Sequence, residues 1–195
     1  MPLSKNHKEK TRTRILQTAG TLFRERGFDG VGIDEIMSAA GLTRGGFYAH
    51  FDSKADLFAK VLRDEPAFTR MLAERQTGQR ELTLQGTLDV LSTYLDSDNI
   101  NYVTSTCPMV SMARDVDKGG REARTAFTKV ITDFTVLLKN GMDGSPPAQL
   151  NARALAVFAL CVGGVTIART ADNPAMAKQV LNACEAEAQR LLSNN

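Results

Sequence analysis

Glycine sets the first constraint on this chain. Glycines stand at 27, 30, 32, 41, 45 and 46, inside a stretch whose apolar residues otherwise recur at helical spacing. Each glycine lowers helix stability by about 1 kcal/mol relative to alanine, so only short helices fit between them. The spacing predicts a longer helix before them, from about Lys8 to Arg26, with Ile15, Ala19, Leu22 and Phe23 on one face and Gly27 just past its end. A short helix fits Ile33 to Ala40, with Asp34 and Glu35 in its positive first turn. Gly41-Leu42 reads as a tight turn. A second short helix fits Thr43 or Arg44 to His50, with Thr43 as its N-cap. Ser53-Lys54-Ala55-Asp56 has the form of a capping box and opens a helix carrying Leu57, Phe58, Val61 and Leu62.

Beyond this point helical spacing continues near 66–78 (with Pro66 as a kink), 81–96, 108–116, 120–140, 148–170 and 175–192. Gly119-Gly120 and 141–147 mark breaks, and Asn173-Pro174 is a strong helix start. Residues 96–106 are polar and read as a loop. No segment alternates as a strand would. The expected fold is all-α, with about nine helices in two domains, 1–52 and 53–195.

Composition excludes several classes. At 43% hydrophobic and 24% charged residues, the chain has the make-up of a soluble globular protein. The apolar run Ala154–Ala168 is shorter than the roughly 20 residues a membrane span needs, so no membrane partner is expected. The charged N-terminus lacks a signal-peptide pattern. Cys107, Cys161 and Cys184 are odd in number and far apart, which fits a reducing cytoplasm rather than a disulfide framework. With His7 and His50 the only histidines, no metal site and no cofactor is expected. No catalytic constellation is visible, so the chain is not expected to be an enzyme.

Charge is unevenly placed. Residues 1–63 hold 11 Lys/Arg against 7 Asp/Glu, a balance of +4, within a net charge of +2. Lys5, Lys8, Lys10, Arg12 and Arg14 account for most of this, opposed in the first fourteen residues by Glu9 alone. Such a segment is either a solvated terminus or the contact surface for an anionic partner.

The two short helices around a glycine turn, braced by a longer helix, form a helix-turn-helix unit. Ile33, Ile36 and Ala40 face inward, Leu42 plugs the turn, and Phe47 and Phe51 anchor the second helix. That helix then presents Arg44, Gly45, Tyr48, Ala49 and His50. Arg44 suits a bidentate contact to guanine, and Tyr48 and His50 can donate to phosphates. Gly45 and Gly46 remove side chains where a helix must approach a groove closely. Lys54, in the next helix's first turn, could hold a phosphate beside backbone amides. An ordinary helical elbow with surface residues would show part of this pattern too.

The segment Gly41-Leu-Thr-Arg-Gly-Gly-Phe-Tyr-Ala-His-Phe-Asp-Ser-Lys54 is more specific than an elbow needs. With Gly27-Phe28 and Ala40-Gly41-Leu42, it resembles the TetR (tetracycline-repressor) family of bacterial transcription regulators over roughly residues 10–60. Two positions depart from the family pattern. Gly32 stands where Ser or Thr often caps the first short helix, and Met37 where a small Ala is usual. The resemblance implies a double-stranded DNA operator of roughly palindromic sequence, with Thr43, Arg44, Gly45, Gly46, Tyr48, His50, Lys54, Lys8 and Arg12 at the interface. It also implies a C-terminal domain for ligand binding and dimerisation, with a homodimer through the last two helices. Small residues in 152–168 suit such close packing; a buried core helix would be apolar as well.

Met109, Phe127, Phe134 and Phe158 are candidates for a pocket taking a small apolar or electrophilic effector, and core packing would use the same residue types. Cys107 precedes Pro108 at the expected start of the 108–116 helix, where a thiol gains thiolate character. Thr106-Cys107-Pro108-Met109 resembles TetR-like electrophile and redox sensors. The expectation is therefore a cytoplasmic, effector-responsive regulator, most simply a repressor released by a ligand or by thiol modification at Cys107. An all-helical enzyme or small-molecule carrier is the alternative from another class.

Overall fold

The computed structural model describes residues 5–64, 83–140, 142 and 146–193. Among these, helices and 3-10 turns are the only regular elements, as expected. They are α1 (Lys5–Arg26), α2 (Ile33–Ala39), a 3-10 helix (Arg44–Ala49), α3 (Lys54–Asp64), α4 (Leu84–Tyr94), α5 (Ile100–Thr106), α6 (Pro108–Ser111), α7 (Gly120–Asn140), α8 (Pro147–Ala168) and α9 (Pro174–Ser193). Further 3-10 turns cover Ser97–Asn99 and Ala113–Asp115. The helix expected near 66–78 lies outside the described residues.

The chain forms two compact units. The first comprises residues 1–64 with 112–129, and the second 65–111 with 130–195. The first unit's core draws Ile15, Ala19 and Phe23 from α1, Ile36 and Met37 from α2, Phe47 and Phe51, and Leu57, Phe58 and Leu62 from α3. Met112, Val116, Ala123 and Ala126 complete it. The rings of Phe23 and Phe28 both meet Phe58 edge-on at 5.1 Å between centroids, a favourable aromatic geometry.

Turn chemistry explains the boundaries. Gly27 (φ +76°) donates its N–H to Phe23 O and ends α1 in the left-handed conformation that glycine takes without strain. Gly41 (φ +63°) does the same after α2, and Leu42 N–H then reaches Met37 O. Ser53 Oγ accepts from Asp56 N–H at 2.9 Å, while Asp56 Oδ2 takes Asp52 N–H at 3.1 Å. The cap is thus reciprocal but reaches one residue further back than the usual capping box.

In the second unit, α8 and α9 pack along one another. A Cβ on Gly164 would stand 2.9 Å from Cys184 Sγ, so glycine is what permits this close crossing. Asn173 Oδ1 accepts from Ala175 N–H at 2.9 Å, capping α9 with Pro174 at its first position.

Three expectations change. Residues 96–106 are not a loop: α5 forms there because Val103 is buried and α5 packs on α8, so tertiary contact overrides a polar sequence. The 108–116 helix is broken into the four residues of α6 and a 3-10 turn. Finally, α8 extends back to Pro147 and is, by length and composition, long and apolar enough to cross a membrane, which Ala154–Ala168 alone is not.

Candidate DNA-binding interface

The second short helix is 3-10 rather than α, consistent with two adjacent glycines and their weak helix propensity. Thr43 sits at its N-cap position without a side-chain cap bond. Phe47 points into the core, leaving Arg44, Gly45, Tyr48 and Ala49 exposed and Gly46 and His50 half-buried. Tyr48 is 59% exposed and packs edge-on against Phe47. A Cβ on Gly45 would meet nothing within 4 Å, so no described residue requires a glycine there. A Cβ on Gly46 would stand 3.7 Å from Met37 Cε. That is ordinary contact, so the large Met37 is accommodated without requiring a glycine at 46. Gly32 occupies the N-cap of α2 without any side-chain cap, as its identity demands.

The basic residues of α1 separate by helical face. Lys8 and Arg12, four apart, lie on one face. The Arg12 guanidinium sits 5.4 Å from the Phe51 ring centroid, and both charges act on His50. His50 is held below its ordinary imidazole range, first by burial and then by Lys8 and Arg12. Its Nδ1 is buried without a hydrogen-bond partner. Lys10 and Arg14 point roughly opposite, so the N-terminal charges do not act as one set. The Lys5 side chain lies outside the described residues.

Lys54, expected as a phosphate contact, is engaged within the protein. Its Nζ donates to Phe28 O at 2.9 Å and Val31 O at 3.1 Å, and rests 4.3 Å from the Phe28 ring centroid. A half-buried ammonium with two carbonyl partners braces the loop between α1 and α2.

Sequence reading missed several partners. Asp34 Oδ2 accepts from Arg44 Nη1 at 2.5 Å, and Glu35 pairs with Arg26. From sequence, both acids suggest only helix-dipole roles. Lys118 Nζ joins Asp29 at 2.9 Å to Asp115 at 3.0 Å, bracing the same loop from residues some ninety positions away. No local signal could reveal that contact.

The regulatory candidates do not form one group. Phe134 and Phe158 pack edge-on at 5.0 Å in the second unit, where Met109 is also buried. Phe127 packs instead against the first unit's core. A cavity of about 410 Å3 in the second unit is lined by polar groups, among them Ser92, Asp96, Asp98, Lys178 and Glu185, and not by these aromatic residues.

Cys107 is buried at the end of α5, and Tyr94 O–H donates to its Sγ at 3.2 Å. Its expected activation by a helix N-terminus does not hold, because α6 has only four residues. Burial, then the nearby Cys107, raises the Tyr94 hydroxyl well above its ordinary range. Cys161 is raised by burial and then by Cys107 and Cys184. Cys107 and Cys184, distant in sequence, therefore both lie near Cys161.

Residues 15–61 match the profile of the family described as bacterial regulatory proteins, tetR family. The HTH-type transcriptional regulator AcrR of Shigella flexneri is 37% identical over 82 residues, covering 42% of this chain and 34% of that protein. The chain thus spans about a third of AcrR. The HTH-type transcriptional repressor NemR of Escherichia coli is 26% identical over 150 residues, covering 72% and 73%. The crystal structure of NemR in its reduced form superposes with a TM-score of 0.74 at 20% identity, over 95% of this chain and 98% of that one. A TetR-family regulator from Cytophaga hutchinsonii gives 0.71 at 21% identity, covering both chains entirely. At these identities the structural likeness speaks for the fold. Residues 15–61 of this chain thus carry a domain of the kind described as bacterial regulatory proteins, tetR family.

Proposed function

We propose that the protein is a dimeric, effector-responsive transcriptional repressor of the cytoplasm that binds a roughly palindromic operator. One observation carries the reading. The 3-10 helix turns Arg44, Gly45 and Tyr48 to solvent, Phe47 and Phe51 fix it to the core, and Lys8 and Arg12 act on His50 at its end. Arg44 reads a base edge, and Tyr48, Lys8 and Arg12 hold phosphates. Thr43 and His50 flank this surface, and Gly45 and Gly46 let the backbone approach.

Dimerisation through α8 and α9 is supported by their unpartnered apolar residues. Leu155, Ile167 and Met176 are 41%, 57% and 51% exposed. Ala152, Leu155, Ala159, Gly163 and Ile167 recur at three- and four-residue steps along α8, the spacing of one helix face. Paired with a second copy, they would close a four-helix bundle. A small apolar or electrophilic effector acting on the second unit, with Met109, Phe134 and Phe158 as candidate contacts, would shift the spacing of the two recognition helices. Phe127 lies on the part of α7 that belongs to the first unit, so its role would be to transmit such a shift along that helix.

A second reading makes the switch covalent through Cys107. Its support is the polar partner held on the sulfur, the Tyr94 hydroxyl donating to Sγ at 3.2 Å. The test is fluorescence anisotropy of the full chain against duplexes selected from a random pool, at several salt concentrations, with and without oxidants. Sequence-selective, salt-dependent binding supports the regulator reading, and its absence removes it. Cys107→Ser that still responds to oxidants removes the covalent reading.

A further inference from the structure

Arg44 is already held before any DNA arrives. Its Nη1 donates to Asp34 Oδ2 at 2.5 Å, joining the recognition segment to the first turn of α2. Both side chains are 63% exposed, and pairs so exposed contribute little to stability. The contact therefore has no evident role in holding the fold.

It does have a geometric consequence. The guanidinium is a planar fork with five donors. Asp34 engages Nη1, and no described residue takes Nε or Nη2. Two donors on one edge are what a bidentate contact to guanine O6 and N7 requires. Pinning Nη1 also removes freedom from a long side chain before binding. The neighbouring Gly45 adds no side chain that would stand between this edge and a base.

We propose that Asp34 is a specificity-determining positioning residue, which orients Arg44 so that its remaining edge meets one guanine in the major groove. This inference rests on the DNA-binding reading above. It carries a second consequence. A carboxylate at this surface repels every phosphate backbone, so Asp34 lowers affinity for all duplexes while raising discrimination among them. Its removal therefore moves two readouts in opposite directions.

The experiment uses the full chain. Wild-type protein first selects duplexes from a randomised 30-bp pool (a length of about three helical turns). Anisotropy then compares wild type, Arg44→Ala, Asp34→Ala and Asp34→Asn on the selected duplex, on duplexes with each guanine replaced, and on a scrambled duplex. Arg44→Ala identifies the guanine that is read. At that base, Asp34→Ala should reduce the preference about three- to tenfold, a fraction of what one bidentate contact supplies. Its affinity for the scrambled duplex should rise about two- to fivefold, through the removed repulsion. Asp34→Asn, which still accepts a hydrogen bond, should fall between. Equal gains on all duplexes, with the guanine preference intact, would reduce Asp34 to a surface charge and overturn the proposal. A fall in melting temperature with parallel loss on every duplex would make Asp34 structural and overturn it as well. Failure of the wild type to select any sequence would overturn the regulator reading itself, before any variant is compared.

Discussion

The Oδ2 of Asp115 lies 2.9 Å from where a Cβ on Gly27 would stand, and Gly27 is held at φ +76°. That oxygen is buried and accepts no hydrogen bond. Two penalties therefore meet at one position: a left-handed backbone and a contact with a buried carboxylate. Gly27→Ala should lose about 2–4 kcal/mol in denaturant titration, of which about 1–2 is the backbone penalty. In an Asp115→Ala background the loss should shrink toward the backbone penalty alone. An identical loss in both backgrounds would show that the carboxylate contact is energetically irrelevant.

Lys54→Met keeps the apolar stem against Phe28 but removes the ammonium from Phe28 O and Val31 O. Loss of these charge-assisted bonds should lower stability by about 1–3 kcal/mol. DNA binding should weaken alike for all sequences, with its salt dependence unchanged. A direct phosphate contact would behave otherwise: the slope of log affinity against log salt would flatten by about 0.9 with stability intact. The pair of measurements separates loop bracing from phosphate binding.

Gly45 and Gly46 admit alanine without conflict inside the protein, at open space and at 3.7 Å from Met37 Cε respectively. Each Gly→Ala change should raise stability by about 0.5–1 kcal/mol, through helix propensity and a less flexible unfolded chain. Affinity for the selected duplex should nevertheless drop, by about tenfold or more, because the added methyl stands where the groove is approached (one clash of about 1.4 kcal/mol suffices). Higher stability with unchanged affinity would remove the steric explanation for the glycine pair.

Much of the first unit is legible in the sequence because its signals are local. Gly27, Gly41 and Ser53 stop and start helices within a few residues, and Ile36, Phe47 and Phe51 follow helical spacing into the core. What stays hidden depends on distant pairing. Lys54 reads as a free cation until the loop carbonyls come within reach. Asp34 and Arg44 meet only once the turn at Gly41 has closed. Lys118 and Asp115 reach Asp29 and Gly27 from the far side of some ninety residues. In the second unit, α5 escapes a sequence reading because its polar residues are helical only by packing. The aromatic residues there supply a composition for a pocket without its location.

His50 links the interface to pH. Burial, then Lys8 and Arg12, holds its imidazole below the ordinary value, which is about 6.5 in the unfolded chain. The folded protein thus binds its proton less readily than the unfolded chain. This contribution to stability is complete above about pH 6.5 and is lost as pH falls through the folded value. DNA reverses the balance. Phosphates seated near Lys8 and Arg12 offset the charges that oppose protonation and favour imidazolium. Binding should therefore take up a proton, and affinity should rise as pH falls from 8 to 6, by at most about tenfold per pH unit for each His50. Anisotropy at constant ionic strength would read this, and His50→Gln should flatten the profile while keeping binding at pH 8. A profile unchanged by that substitution would assign the pH response to another group and place His50 outside the phosphate contacts.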